Sequence, residues 1–226
     1  MKFRQLHSWD LTPKEAIALQ RELAAKIDTT SRIGRCELIA GADVSFNRFS
    51  NIFYAGVVVI RVSDATVIER QGAVREIRFP YVPGILSFRE SPILLDAFAK
   101  VEAEPDAVML DAHGFSHPRR FGLTCHVGLL LDRPTLGCAK TPLVGTFDEP
   151  GGEVGDRQPL CDRGGTIGCV LRTKRRVKPV FVSAGHRINL EQAIELVLQN
   201  CRGYRLPEPT RQAHLYVNEL RRKGGV

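Results

Sequence analysis

The sequence predicts an α/β domain in which a mixed β-sheet is covered by helices. Two patterns carry this expectation. Three apolar runs, Leu38 to Val44, Phe53 to Val62 and Val67 to Val74, follow one another with brief polar links, as in an antiparallel meander. Beyond them strands and helices alternate, which places helices against a sheet. A length of 226 residues, 43% of them hydrophobic, suits one domain with a sizeable core, spanning 1–226.

Each element has a local reason. Thr12-Pro13-Lys14-Glu15 combines an N-cap, a first-position proline and a capping-box glutamate, so a helix begins there. Ile17, Leu19, Leu23 and Ile27 extend it to about residue 27. After the meander comes a stiff loop at 79–84, then a helix over about 87–101, its start read from the S-x-x-E spacing of Ser87 and Glu90. Ala107 to Leu110 is a short strand ending at Asp111, and His113 to Pro118 is a loop. A helix is expected over 119–131, strands near 135–139, 166–171 and 178–182, and helices from the Asn189 cap to about 200 and over 209–222. Gly145 to Gly165, rich in Gly, Asp and Pro, reads as a long surface loop.

The formal charge of +7 suits a polyanionic partner. Basic residues crowd Arg172-Thr173-Lys174-Arg175-Arg176-Val177-Lys178 and Arg221-Arg222-Lys223, as either a solvated surface or a phosphate-contact patch. The six cysteines form no C-x-x-C pair, which argues against structural zinc and for reduced thiols in a cytoplasmic protein. A polar N-terminus and the lack of an apolar stretch near ~20 residues point away from a secretory signal and a membrane span. No heptad or broad apolar helix face suggests an obligate oligomer, so a monomer is expected.

Candidate chemistry lies in six places. In Pro80-Tyr81-Val82-Pro83-Gly84 two prolines hold an aromatic ring in place, and a fixed, presented tyrosine is a stacking plate for a nucleobase. Asp43 falls late in an apolar strand, where a charge is costly unless paired or bound to a metal. Asp111 ends a second strand, and Glu90 sits just behind the tyrosine loop. Singly these are an N-cap or ion-paired aspartate, a turn aspartate and a helix-cap glutamate. Together with His214 on the last helix they form a donor set for a hard cation, Mg²⁺ or Mn²⁺, suited to phosphodiester chemistry. Lys140 is either an exposed strand-end lysine or a positive charge beside the scissile phosphate.

These residues fall in blocks that resemble the endonuclease V family: Gly41-Ala42-Asp43-Val44-Ser45-Phe46, Pro80 to Gly84 through Glu90, Asp111-Ala112-His113-Gly114 with His117 to Gly122, Gly137-Cys138-Ala139-Lys140, and Ala213-His214 with Val217 to Arg221. The blocks keep the family's order and span nearly the whole chain. The resemblance implies an RNase H-like fold, a mixed five-stranded sheet with helices on both faces. It implies Mg²⁺-dependent hydrolysis of the second phosphodiester 3′ to deoxyinosine in DNA, with inosine-containing RNA as an alternative substrate. Asp43, Glu90 and Asp111 match the metal-binding acids, His214 their supporting histidine and Lys140 the lysine at the phosphate. Pro80, Tyr81, Val82 and Pro83 match a strand-separating wedge. Gly84, Leu86, Ala112, Gly114, His117, Gly122, Leu123, Ala139 and Leu143 match the hypoxanthine pocket. One position departs from the family's Asp-Gly-His-Gly: Ala112 keeps the amide, but its methyl narrows the pocket and forgoes a glycine-only backbone angle. A binding module that uses the basic patches and Tyr81 without cleaving is the reading from another class, and the intact acid set argues against it.

Overall fold

The computed structural model describes residues 1–225. The meander is present: β1 (Leu38–Phe46), β2 (Ile52–Arg61) and β3 (Val67–Glu76) pair antiparallel. Next come β4 (Ala107–Leu110) and β5 (Thr135–Ala139), which run parallel to β1. Then β6 (Arg157–Asp162), β7 (Gly165–Leu171) and β8 (Val180–His186) add an antiparallel set. The sheet order is β3-β2-β1-β4-β5-β8-β7-β6, eight strands where the resemblance implied five. The first five in that order are the implied mixed sheet, and the last three extend it. The whole of β6 lies inside the segment expected to be a loop. Its Pro159 cannot donate to a ladder, and as the sheet's edge strand β6 tolerates that. Arg163 and Gly164, both with positive φ, turn the chain into β7.

Alternation along the strands sorts the helices between the two faces. Ala40, Ala42, Val57, Val59, Val108 and Leu110 face α2 (Leu86–Phe98) and α3 (Leu123–Leu131), packing on Leu94, Phe98 and Val127. Ile39, Val58, Met109, Leu136 and Val182 face the other way, onto α4 (Leu190–Gln199) and α5 (Glu208–Lys223). The remaining helix, α1 (Pro13–Ala24), lies outside α2 and α3 through Ala16 and Leu23. Its capping box is formed, with Glu15 N–H donating to Thr12 Oγ1 at 3.3 Å and Thr12 N–H to the Glu15 carboxylate at 2.8 Å.

Two helix starts differ from the sequence pattern. The cap position of α2 is Ile85, with no side-chain cap; Ser87 is already helical and its hydroxyl has no partner. Gly84, at φ +81°, makes the turn that a capping serine would have marked. The start of α3 is at Leu123 rather than 119, because Arg120 takes a left-handed conformation and the chain from 119 to 122 remains a loop. Arg172 of the basic run is buried, and its guanidinium donates to the carbonyls of Gly151 at 2.9 Å and Pro150 at 3.1 Å and pairs with Glu149 at 2.7 Å. That arginine is a structural brace and takes no phosphate; Lys174, Arg175 and Arg176 remain exposed. Among the described residues no helix is long and apolar enough to cross a membrane.

Helix α5 is seated on glycines. A Cβ at Gly41 would collide with the Pro209 carbonyl, and one at Gly56 would press on Tyr216 and Val217 at 3.1–3.2 Å. This close approach brings α5 over the end of β1. Gly41→Ala is expected to lift α5 and cost about 1–3 kcal/mol in chemical denaturation. An unshifted midpoint would show that the seat is not tight.

Candidate active site

The register of β1 against β4 builds the site's centre. Ala42 pairs with Leu110, so the next residue of each parallel strand, Asp43 and Asp111, emerges at the same level. Both lie at the carboxyl ends of adjacent strands, where open α/β sheets place their ligands. Odd-numbered residues of β1 face α5, and His214 on that helix reaches Asp43, Nδ1 to Oδ2 at 2.8 Å. Asn218, one turn on, donates to the His214 carbonyl at 2.7 Å and holds the histidine's turn in place. Donor atoms of Asp43, Asp111 and His214 all lie within 4.8 Å of one another. Lys140, just past the end of β5, forms an ion pair with Asp111.

Glu90 approaches from the opposite face, on α2. It shares the lining of a narrow cleft with Asp43 and Asp111 but does not join the 4.8 Å group. Burial, and then the neighbouring Asp43, pushes its carboxyl up to about 8, with Arg89 opposing. Asp43 is also raised, by burial first and Asp111 second, and His214 only partly offsets this. A site that crowds three acids and disfavours the ionisation of two of them, Glu90 and Asp43, is short of positive charge. Two carboxylates, a third within reach and an imidazole suit a hard divalent cation.

Beside the acids opens a cavity of about 370 Å³. Tyr81, Val82 and Pro83 stand at its mouth, with Tyr81 69% exposed. Gly84, Leu86, Ala112, His117, Gly122, Leu123, Ala139 and Leu143 line its walls, and Glu90, Asp111 and Lys140 its acidic end. Of the residues matched to the pocket, Gly114 alone is not on its surface. It sits behind the wall, where its N–H donates to Ser183 Oγ at 2.9 Å and a Cβ would strike the Ala184 carbonyl. Pro80 likewise lies outside the lining, on the approach to Tyr81. Ala112 is absent from the positive-φ residues, so the backbone asks for no glycine and only the methyl is added. Burial, then Arg119, lowers His117 to about 4, and it is neutral at physiological pH.

Three residues at the site had no role in the sequence reading: Gln20, which it did not name, and Arg119 and His113, which stood in its motif blocks without an assignment. Gln20, fully buried on α1, donates to the carbonyls of Gly84 at 3.0 Å and Phe121 at 2.6 Å. Arg119 donates to the Gln20 side chain and to the Gly84 carbonyl. The pair clamps the tyrosine loop to the opposite wall. A polar residue at i+4 from Ala16 on the buried stripe of α1 was the available signal. His113 also lines the cavity, fixed by Ser116 Oγ and the Thr141 carbonyl, each at 2.9 Å.

The endonuclease V family model matches residues 21–215. The chain belongs to the endonuclease V family. A curated endonuclease V from Dehalococcoides mccartyi is 46% identical over 220 residues, covering 97% of this chain and 99% of its own. The crystal structure of an endonuclease V from Streptomyces avermitilis superposes with a TM-score of 0.92 at 35% identity, covering 99% of both chains. One from Ciona intestinalis, in complex with a 23-mer DNA containing an inosine followed by a ribo-adenosine, superposes with a TM-score of 0.82 at 26% identity, over 94% of this chain and 99% of its own. The eight-stranded sheet is thus an RNase H-like fold, and the protein is a nuclease.

The raised Glu90 carboxyl has a measurable sign. The folded, metal-free protein holds this proton more tightly than the unfolded chain does. Its contribution to stability is therefore full below the ordinary value of 4.5 and is lost as pH rises through about 8. Glu90→Gln is expected to gain on wild type as pH rises across that window, on the order of 4 kcal/mol by its end, in urea titrations with chelator. A pH-independent difference between the two proteins would contradict the burial assigned to Glu90.

Proposed function

We propose that the protein is a DNA repair endonuclease that hydrolyses the second phosphodiester 3′ to deoxyinosine, leaving 3′-hydroxyl and 5′-phosphate ends. One observation carries this reading: a cavity of base size opens directly onto the carboxylate cluster, with Glu90 and Asp111 common to both and Lys140 of the cavity wall paired with Asp111. A base held in the one places a nearby backbone phosphate at the other.

The residues divide the work. Tyr81, braced by Pro80 and Pro83, fills the gap left by an extruded base; extrusion takes a few kcal/mol and least at a weak pair, which favours a deaminated adenine. Leu86, Leu123, Ala139 and Leu143 enclose the base, and neutral His117 presents a hydrogen-bonding edge without charge. Mg²⁺, with Mn²⁺ substituting, would be held by Asp43, Asp111 and Glu90 and supported by His214, supplying Lewis-acid polarisation of the phosphate and a more acidic water. Lys140 sets a positive charge where the phosphate gains negative charge. Arg205 holds the backbone of Lys140 through its carbonyl, at 2.6 Å.

The Ciona intestinalis complex carries a ribonucleotide directly after the inosine. This favours a second reading, an inosine-directed endoribonuclease using the same site. Matched DNA and RNA strands separate the two.

Cleavage of an end-labelled strand with one inosine tests the main reading. With Mg²⁺ a single nick one nucleotide beyond the inosine is expected, absent from an adenine control and from Asp43→Ala. Cleavage of inosine and adenine strands alike would leave a nuclease without this specificity. Tyr81→Ala is expected to weaken inosine-strand binding by ~1–3 kcal/mol. Unchanged affinity and unchanged discrimination against adenine would remove the wedge role.

A further inference from the structure

The turn between β1 and β2 presents an aromatic ring that the core does not use. Phe49 is 93% exposed and stands in the left-handed region at φ 66°, which a bulky side chain occupies at a cost. The Arg48 guanidinium lies over its ring, 4.8 Å from the centroid, and the rest of the ring is bare. The turn is held firmly: Ser50 N–H donates to the Asn47 carbonyl at 3.0 Å, and Arg221 of α5 donates to Asn47 Oδ1 at 2.8 Å. That arginine also donates to Asn218, the residue bonded to the His214 carbonyl. The turn is thus braced to the helix that carries the site's histidine.

The sheet order gives this turn a direction. The cavity lies against the ends of β5 and β4, through Ala139, Lys140 and Ala112. The acids lie between β4 and β1. Continuing the same way, the next feature at this end of the sheet is the β1–β2 turn, since β1 runs on only three residues past Asp43 to Phe46, roughly 10 Å. On the proposed reading, on which this step rests, the base sits in the cavity and the bond cut lies 3′ of it. A strand leaving the acids in its 3′ direction then runs onto Arg48 and Phe49.

We infer that the β1–β2 turn is a second nucleic-acid contact, in which Phe49 stacks a base and Arg48 meets a phosphate of the strand 3′ to the cut. An exposed aromatic ring and a guanidinium are a sequence-tolerant platform for single-stranded nucleic acid. The turn would hold the 3′ product segment while Tyr81 holds the lesion side.

The test uses three fluorescent inosine strands and their adenine counterparts, bound in chelator to prevent turnover. One ends just past the cut position, one extends about ten nucleotides further 3′, and one extends equally 5′. Phe49→Ala is expected to lose at least about fivefold in affinity for the 3′-extended strand and nothing for the other two. Arg48→Gln is expected to lower the salt dependence by about one ion on the 3′-extended strand alone. Equal losses on all three strands, no loss, or a loss that follows the 5′ extension would overturn the contact. Phe49 is outside the core, so its replacement leaves folding intact. Should wild type bind and cut inosine and adenine strands alike, the inosine reading falls; the length dependence, read on either base, still decides the turn.

Discussion

Two like charges held side by side at the ends of parallel strands set the terms for the rest of this molecule. The β1–β4 register leaves Asp43 and Asp111 no choice of level. Half-buried acids in that position repel each other, and desolvation adds to the cost. What surrounds them offsets it: Lys140 pairs with Asp111, and His214 reaches Asp43. Each partner is in turn held by something further out. The seat of α5 on Gly41 and Gly56 fixes the height of His214, and Arg205 ties Lys140 to Pro179. A packed helix and a half-buried guanidinium therefore serve an arrangement that is costly by itself and suited to a cation.

The legible parts of the sequence were those governed by local rules. The capping box of α1, the meander, the Asn189 cap of α4 and the apolar strands lie where side-chain period and cap chemistry place them. Asp43 stood out because a charge in an apolar strand needs a reason, and the register supplied it. The parts that eluded reading depend on tertiary pairing. Edge strand β6 is polar and carries proline, so nothing in its own residues marks it until β7 lies alongside. Ser87 and Glu90 have capping-box spacing, yet Gly84 turns the chain earlier and leaves the glutamate to face the acids. Arg172 sits in a basic run but is drawn inside by three carbonyls and Glu149, which composition cannot reveal. Gly114 matched the pocket by motif and serves the wall behind it.

The cavity itself is a balance of shape and neutrality. Its two histidines are both lowered by burial, which disfavours positive charge in the cavity. The methyl of Ala112 is taken up without backbone strain, which confines its effect to the width of the cavity. Charge is gathered at one end only, where Lys140 and the acids meet. On the proposed reading, this separation lets recognition rest on fit and hydrogen bonds while electrostatics act on the nucleic-acid backbone.

The clamp made by Gln20 and Arg119 carries a wider implication. Gln20 comes from the outermost helix, far in sequence from every chemical group, and yet it joins the two lips of the cavity by their carbonyls. The aperture is thus a property of how α1 lies on α2 and α3. If the cavity takes a base as proposed, drift in that outer layer retunes which bases are admitted while the acids stay untouched, so selectivity and chemistry are free to evolve on separate clocks.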